Sequence, residues 1–166
     1  MAVASKIISS IVTPGLTQTD STARLPLGTI VHTDAGGVAE YVYAISELSQ
    51  YAACLIFDGG TAQMATSALV GDGGTGSKKI GCPQASIASA WYGWAMRQGV
   101  FVMRMSDDCA DNVPLFTTST AGELDDATIS NCLVAGVYVN TTQSLATALT
   151  VYAATPMYVH PYTNPA

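Results

Sequence analysis

Asp107-Asp108-Cys109-Ala110-Asp111 has the spacing of a DDxxD string, in which carboxylates hold magnesium against a diphosphate. That chemistry needs the acids on one helix face with a second acidic group opposite, because magnesium demands near-octahedral oxygen ligation. Here the string falls between an apolar run ending at Met105 and the pair Val113-Pro114, so a solvated acidic turn is expected, with no metal bound. Gly71 and Gly76 have the separation of the glycines in a phosphate-binding loop, but Ser77 stands where the phosphate-contacting lysine is needed. Gly81 and Pro83 then follow in place of a helix, which argues for a plain loop and no nucleotide or other cofactor.

Nucleophilic catalysis needs a base beside the nucleophile. The two imidazoles, His32 and His160, stand far apart, and no G-x-S-x-G elbow accompanies them, so the chain is expected not to be an enzyme. Cys54, Cys82, Cys109 and Cys132 show no CxxC pairing and no histidine at ligand spacing, and are expected to be reduced, buried hydrophobes. Trp91, Tyr92 and Trp94 could stack on sugars or bases, but Ile87, Ala88, Ala90 and Met96 flank them, which favours core or subunit-interface packing. Met157, Tyr158, Val159 and Tyr162 are read the same way. The sequon Asn140-Thr141-Thr142 carries no meaning without a secretory route.

The elements that hold these residues read as β throughout. Gly28-Thr29-Ile30-Val31-His32-Thr33, the turn Asp34-Ala35-Gly36-Gly37 and Val38-Ala39-Glu40-Tyr41-Val42-Tyr43-Ala44 form a hairpin pattern, with Val38, Glu40, Val42 and Ala44 on one face. A second hairpin is predicted from 51–57 and 63–70 around Asp58-Gly59-Gly60, and a third from 86–96 and 100–105 around Arg97-Gln98-Gly99. Gly93 among bulky aromatics suggests a strand approached closely by another group. Further strands are expected over 115–118, 132–139, 148–154 and 156–162, with a turn over 121–126. The fold class is all-β: a single antiparallel barrel or sandwich over residues 25–166, without an internal repeat, preceded by an extended arm over residues 1–24. Val3, Ile7, Ile8, Ile11 and Val12 make that arm apolar and β-branched, suited to contact with another subunit.

With 166 residues, one core is expected. Only 11% of residues are charged, against about 25% in ordinary soluble domains. Residues 127–166 contain no Asp, Glu, Lys or Arg, although Thr, Ser, Asn and Gly interrupt every apolar run before it reaches a membrane-spanning length. The formal charge of −6 disfavours a phosphate-backbone partner, so neither nucleic acid nor membrane is expected. Lys6 is followed by only two apolar residues before Ser9, so no secretory segment is expected and synthesis in a cytoplasm is. So little charge implies a surface covered by other protein.

Leu27-Gly28-Thr29-Ile30-Val31 with Glu40-Tyr41-Val42-Tyr43-Ala44, Trp91-Tyr92-Gly93-Trp94-Ala95 with Gly99, and the stretch from Pro114-Leu115-Phe116-Thr117-Thr118 to Glu123-Leu124-Asp125 carry a resemblance. Together the chain resembles the small β-barrel decoration, or cement, proteins of tailed bacteriophages. That resemblance implies a structural virion protein on the outer surface of the capsid, bridging neighbouring major capsid subunits as a homotrimer, or as a dimer. Other structural virion parts, a head-tail connector or a fibre module, and a sugar-binding surface module are the alternative expectations.

Overall fold

The hairpin expected around residues 34–37 forms. β1 (Ile30–His32) pairs antiparallel with β2 (Val38–Ala44), Val31 lying opposite Ala39. Thr33 Oγ1 accepts the Gly37 N–H at 2.9 Å and Gly36 takes φ 76°, so the turn is closed by a side chain as well as by glycine. The computed structural model describes residues 15–71, 78–128, 132–139, 147–153 and 157–160. The arm residues Val3, Ile7, Ile8, Ile11 and Val12, the loop 72–77, the sequon and Tyr162 lie outside them.

β2, β4 (Thr61–Met64), β3 (Cys54–Ile56), β5 (Lys78–Pro83) and β6 (Tyr92–Met105) form a closed five-stranded barrel, each strand bonded to the next and β6 back to β2. Barrel diameter grows with strand number, so five strands leave a narrow bore. Small side chains fill much of it: Ala44, Ala62 and Ala95 pack with Val42, Cys54 and Ile56. Two glycines complete the fit, because a Cβ on Gly81 would stand 2.7 Å from Ile56 Cδ1 and one on Gly93 would stand 2.6 Å from Ile87 Cδ1. The close approach expected at Gly93 is therefore present. β2–β4 and β6–β8 (Leu124–Asp125) are parallel contacts, so the sheet is mixed where a purely antiparallel one was expected.

A second circuit of pairings shares β5 and β6 and runs through β12 (Tyr158–His160), β9 (Leu133–Ala135), β7 (Leu115–Thr117) and β8. β11 (Thr147–Ala153) lies along the second half of β6, with β10 (Tyr138–Val139) beyond it. Ile80, Cys82, Met103, Leu115, Val134 and Met157 belong to the larger apolar core. The uncharged C-terminal stretch is thus explained in part within the chain: Val134, Val137, Val139, Val151, Ala153 and Met157 are buried in its own interior.

Two predicted hairpin arms change. The strand expected through residue 70 ends at Met64, and α1 (Ser67–Gly71) follows, because Thr66 Oγ1 accepts the Leu69 N–H at 3.2 Å as a helix cap does. The third hairpin is absent, and β6 runs through 14 residues without turning. Arg97 is accommodated by a register shift opposite Val38 and Ala39, and Gly99 takes φ 109° where its missing Cβ would stand 2.7 Å from Gly37 Cα. Gly99 serves a close backbone crossing, not a turn. Residues 132–139 divide into β9 and β10 around Gly136, at φ 89°.

A repeat appears in conformation that has no counterpart in sequence. The connection from β2 to β3 and that from β5 to β6 follow the same course, a bend, a single bridge residue and a turn. Leu48 and Ile87 are the bridge residues, and Tyr51 and Ala90, both at φ 65°, are the turn residues. Glu40 and Lys79, 39 residues apart, occupy corresponding places on β2 and β5. Matching pairings follow: β2 lies on β6 as β5 lies on β3, so the barrel has an approximate two-fold relation between its halves.

Candidate interaction surface

One end of the bore is apolar and the other is ionic. Leu48 and Ile87, both buried, pack with Val42, Ala44 and Cys54. At the other end Glu40, 1% exposed, accepts Arg97 Nη1 at 2.6 Å on Oε2 and Lys79 Nζ at 3.2 Å on Oε1. Arg97 Nη2 also donates to the Met157 carbonyl at 3.4 Å, joining the barrel to the chain near β12. A buried lone carboxylate would cost several kcal/mol, and two cations, one on each carboxylate oxygen, offset that cost. The sequence pattern placed Glu40 on an apolar face without a partner; an acid alternating with Val38, Val42 and Ala44 was the available signal, and the partners come from distant strands.

The remaining described cations are largely engaged within the chain. Arg24 pairs with Asp20 at 2.8 Å, and Lys78 Nζ donates to the Leu69 carbonyl at 2.6 Å, at the end of α1. Lysines 78 and 79, the nearest to a phosphate-loop position, thus serve structure. The described end of the arm lies against the barrel: Asp20 bridges to Tyr92, Leu16 packs on the core, and Tyr41 Oη accepts the Arg24 N–H at 3.2 Å.

The DDxxD residues lie in the loop between β6 and β7, as expected. Asp126 Oδ2 accepts the Ala110 N–H at 3.0 Å, which brings this loop beside the β8 turn. Asp107, Asp108, Asp111, Glu123, Asp125 and Asp126, half of the chain's 12 acidic residues, are gathered there. Among the described residues no group of three or more potential ligands is placed to hold a metal.

All four thiols are free and buried. Burial pushes Cys54 up to about 12 and Cys82 well above its ordinary value; burial also raises Cys109, to about 11, with Asp126 and Asp125 adding to it. Those three are protonated near neutrality and unsuited to nucleophilic work. His32 is exposed on β1, while the side chain of His160 is not described.

The three aromatic residues expected to act together are divided. Trp94 is buried, its ring 5.0 Å from that of Tyr41 at 55°, and Tyr92, half-buried, stacks at 6.1 Å on Tyr41 and at 5.1 Å against Tyr43. Trp91 stands apart, 39% exposed, beside exposed Ile45, where Ala44 N–H donates to the Trp91 carbonyl. No flat three-ring platform forms. Met157 is core, and Tyr158 and Val159 are described only as backbone of β12.

Among the described residues the exposed large apolar side chains are Leu27, Ile30, Ile45, Trp91, Val100 and Tyr138. Leu27 precedes β1 and Ile30 is its first residue, Ile45 and Trp91 sit at the Leu48–Ile87 end, and Val100 and Tyr138 share a row of the sheet, each in register with Tyr152 of β11. Aromatic and aliphatic groups of this kind anchor protein contacts when a partner covers them. No protein-family model matches the chain, and no curated protein matches it.

Proposed function

We propose that this chain is a structural virion protein: a rigid, self-associating barrel that binds the outer surface of a phage capsid and cements neighbouring major capsid subunits. The observation that carries this reading is the distribution of charge over a closed barrel. Arg24, Lys79 and Arg97 are ion-paired within the chain, while Ile30, Ile45, Trp91, Val100 and Tyr138 stand in solvent. A cement protein needs a stiff frame and several modest contacts, since a rigid body that engages several subunits gains through effective concentration. Closed strand pairing supplies the stiffness, and the scattered apolar side chains supply contacts on more than one side.

The test is reconstitution. Purified chain is mixed with mature capsids lacking it, pelleted with them and imaged by electron microscopy. Ordered density on the outer shell, in copy number set by the lattice, and a higher melting temperature of the particle are expected. A chain left in the supernatant, or density only at a tail vertex, overturns the proposal. A truncation that probes the arm should stop before Gly15, because Asp20 is bridged to Tyr92 and ion-paired with Arg24.

A further inference from the structure

β1 is an edge strand: β2 lies on one side of it and no strand among the described residues lies on the other. Tyr41 N–H donates to the Thr29 carbonyl and Thr33 N–H to the Gly37 carbonyl, both at 2.9 Å, which fixes the ladder's phase. Alternation then directs the N–H and C=O of Val31 to β2 and those of Ile30 and His32 outward. Natural edges are usually blunted by charge, proline or a bulge on the outer side. Between Leu25 and Thr33 there is no Asp, Glu, Lys or Arg, and Pro26 lies before the paired segment. Ile30 and Leu27 are exposed beside this open edge, and His32 is exposed next to Ile30's neighbour Val31.

We propose that β1 is a self-pairing edge, by which two copies of the chain join antiparallel across a two-fold axis at Val31. In that register Ile30 of each copy faces His32 of the other, and the four outward N–H and C=O groups of each copy find partners. The edge is self-complementary because a two-fold contact sets the same residues against themselves in reverse order. Neither side carries Asp, Glu, Lys or Arg, and each His32 stands opposite Ile30 of the other copy, so the pairing sets no two like charges directly opposite one another. The joined sheets run β2–β1 of one copy into β1–β2 of the other, and Leu27 and Ile30 lie along the seam. The pairing is a property of the isolated chain and does not depend on a capsid.

Proline distinguishes this contact from the fold. At position 30 or 32 it removes an N–H that has no partner in the monomer, while at 31 it would break the β1–β2 ladder. Sedimentation equilibrium of the full chain, carried to millimolar concentration, is expected to show a dimer. Ile30→Pro and His32→Pro are each expected to weaken it by on the order of thirtyfold, with circular dichroism and Trp fluorescence unchanged. Should either proline variant lose the fold, Ile30→Lys/His32→Lys keeps both N–H groups but sets like charges opposite one another, and it should also yield monomer. A monomeric wild-type chain, or an oligomer that these variants leave intact, overturns the proposal; so does an oligomer lost on truncation before Gly15 but untouched by proline. Capsid binding by a chain that stays monomeric would leave the capsid-binding part of the cement reading standing and remove the self-pairing.

Discussion

Leu48 and Ile87 donate to each other's carbonyl at 2.9 Å in both directions, and their buried side chains meet the bore of the barrel together. Each belongs to one of the two like-shaped connections, so they fill one end from corresponding positions. Leu48→Ala and Ile87→Ala should each lower unfolding free energy by about 3 kcal/mol, as buried large-to-small changes do. Since both empty the same space, the double variant should cost measurably less than the sum of the singles in urea unfolding.

Two glycines with similar φ separate conformational strain from lack of space. Gly36, at φ 76°, has nothing within 4 Å of a built Cβ, whereas Gly122, at φ 80°, would place one 2.5 Å from Ala52 Cβ. Gly36→Ala should therefore cost only the left-handed penalty, about 1–2 kcal/mol. Gly122→Ala should cost that plus displacement of the segment at Ala52, a larger shift in denaturation midpoint. Equal losses at the two sites would show that the packing at Gly122 gives way easily.

Burial of Cys54 raises its thiol from 9.0 to about 12, which couples stability to alkaline pH. Below pH 9.0 the thiol is protonated folded and unfolded alike, and this contribution is fully present. As pH rises towards 12 the unfolded chain releases the proton first, so stability falls across that window. Cys54→Ala should flatten the fall, and a thiol reagent at neutral pH should label Cys54 only after denaturant is added. Prompt labelling of Cys54 in the native chain would contradict its burial.

The β1–β2 hairpin was legible because its turn and its alternation are local, and the all-β class followed from many such signals. β6 was not, because Gly99 reads locally as a turn while its actual constraint is the backbone of Gly37 in the distant β1–β2 turn. Trp91 was grouped with Tyr92 and Trp94 by closeness in sequence, whereas β6 begins at Tyr92, Ala90 takes φ 65° and the Trp91 backbone is bonded to Ala44 beside Ile45. The Glu40–Arg97 pair spans 57 residues, beyond the reach of periodicity. Pairing across strands, rather than composition, decided each of these.

Glu40 holds two cations of different exposure, so its removal and theirs should not be equivalent. Glu40→Gln keeps shape but leaves Arg97, nearly fully buried, without its countercharge; a loss of about 3–5 kcal/mol is expected. Lys79 is 39% exposed at the side chain, so water screens it, and Lys79→Met should cost no more than about 1 kcal/mol. Replacing all three by apolar residues, Glu40→Leu with Lys79→Met and Arg97→Met, should recover most of the stability lost in Glu40→Gln, because the desolvation of every charge is removed at once. The triple variant would then reveal what the ions do beyond stability: Arg97 also binds the Met157 carbonyl at 3.4 Å, so faster amide exchange near Met157 with an unchanged melting temperature would show that the cluster fixes the register of this end of the sheet. If the triple variant is as unstable as Glu40→Gln, the ions stabilise the barrel outright.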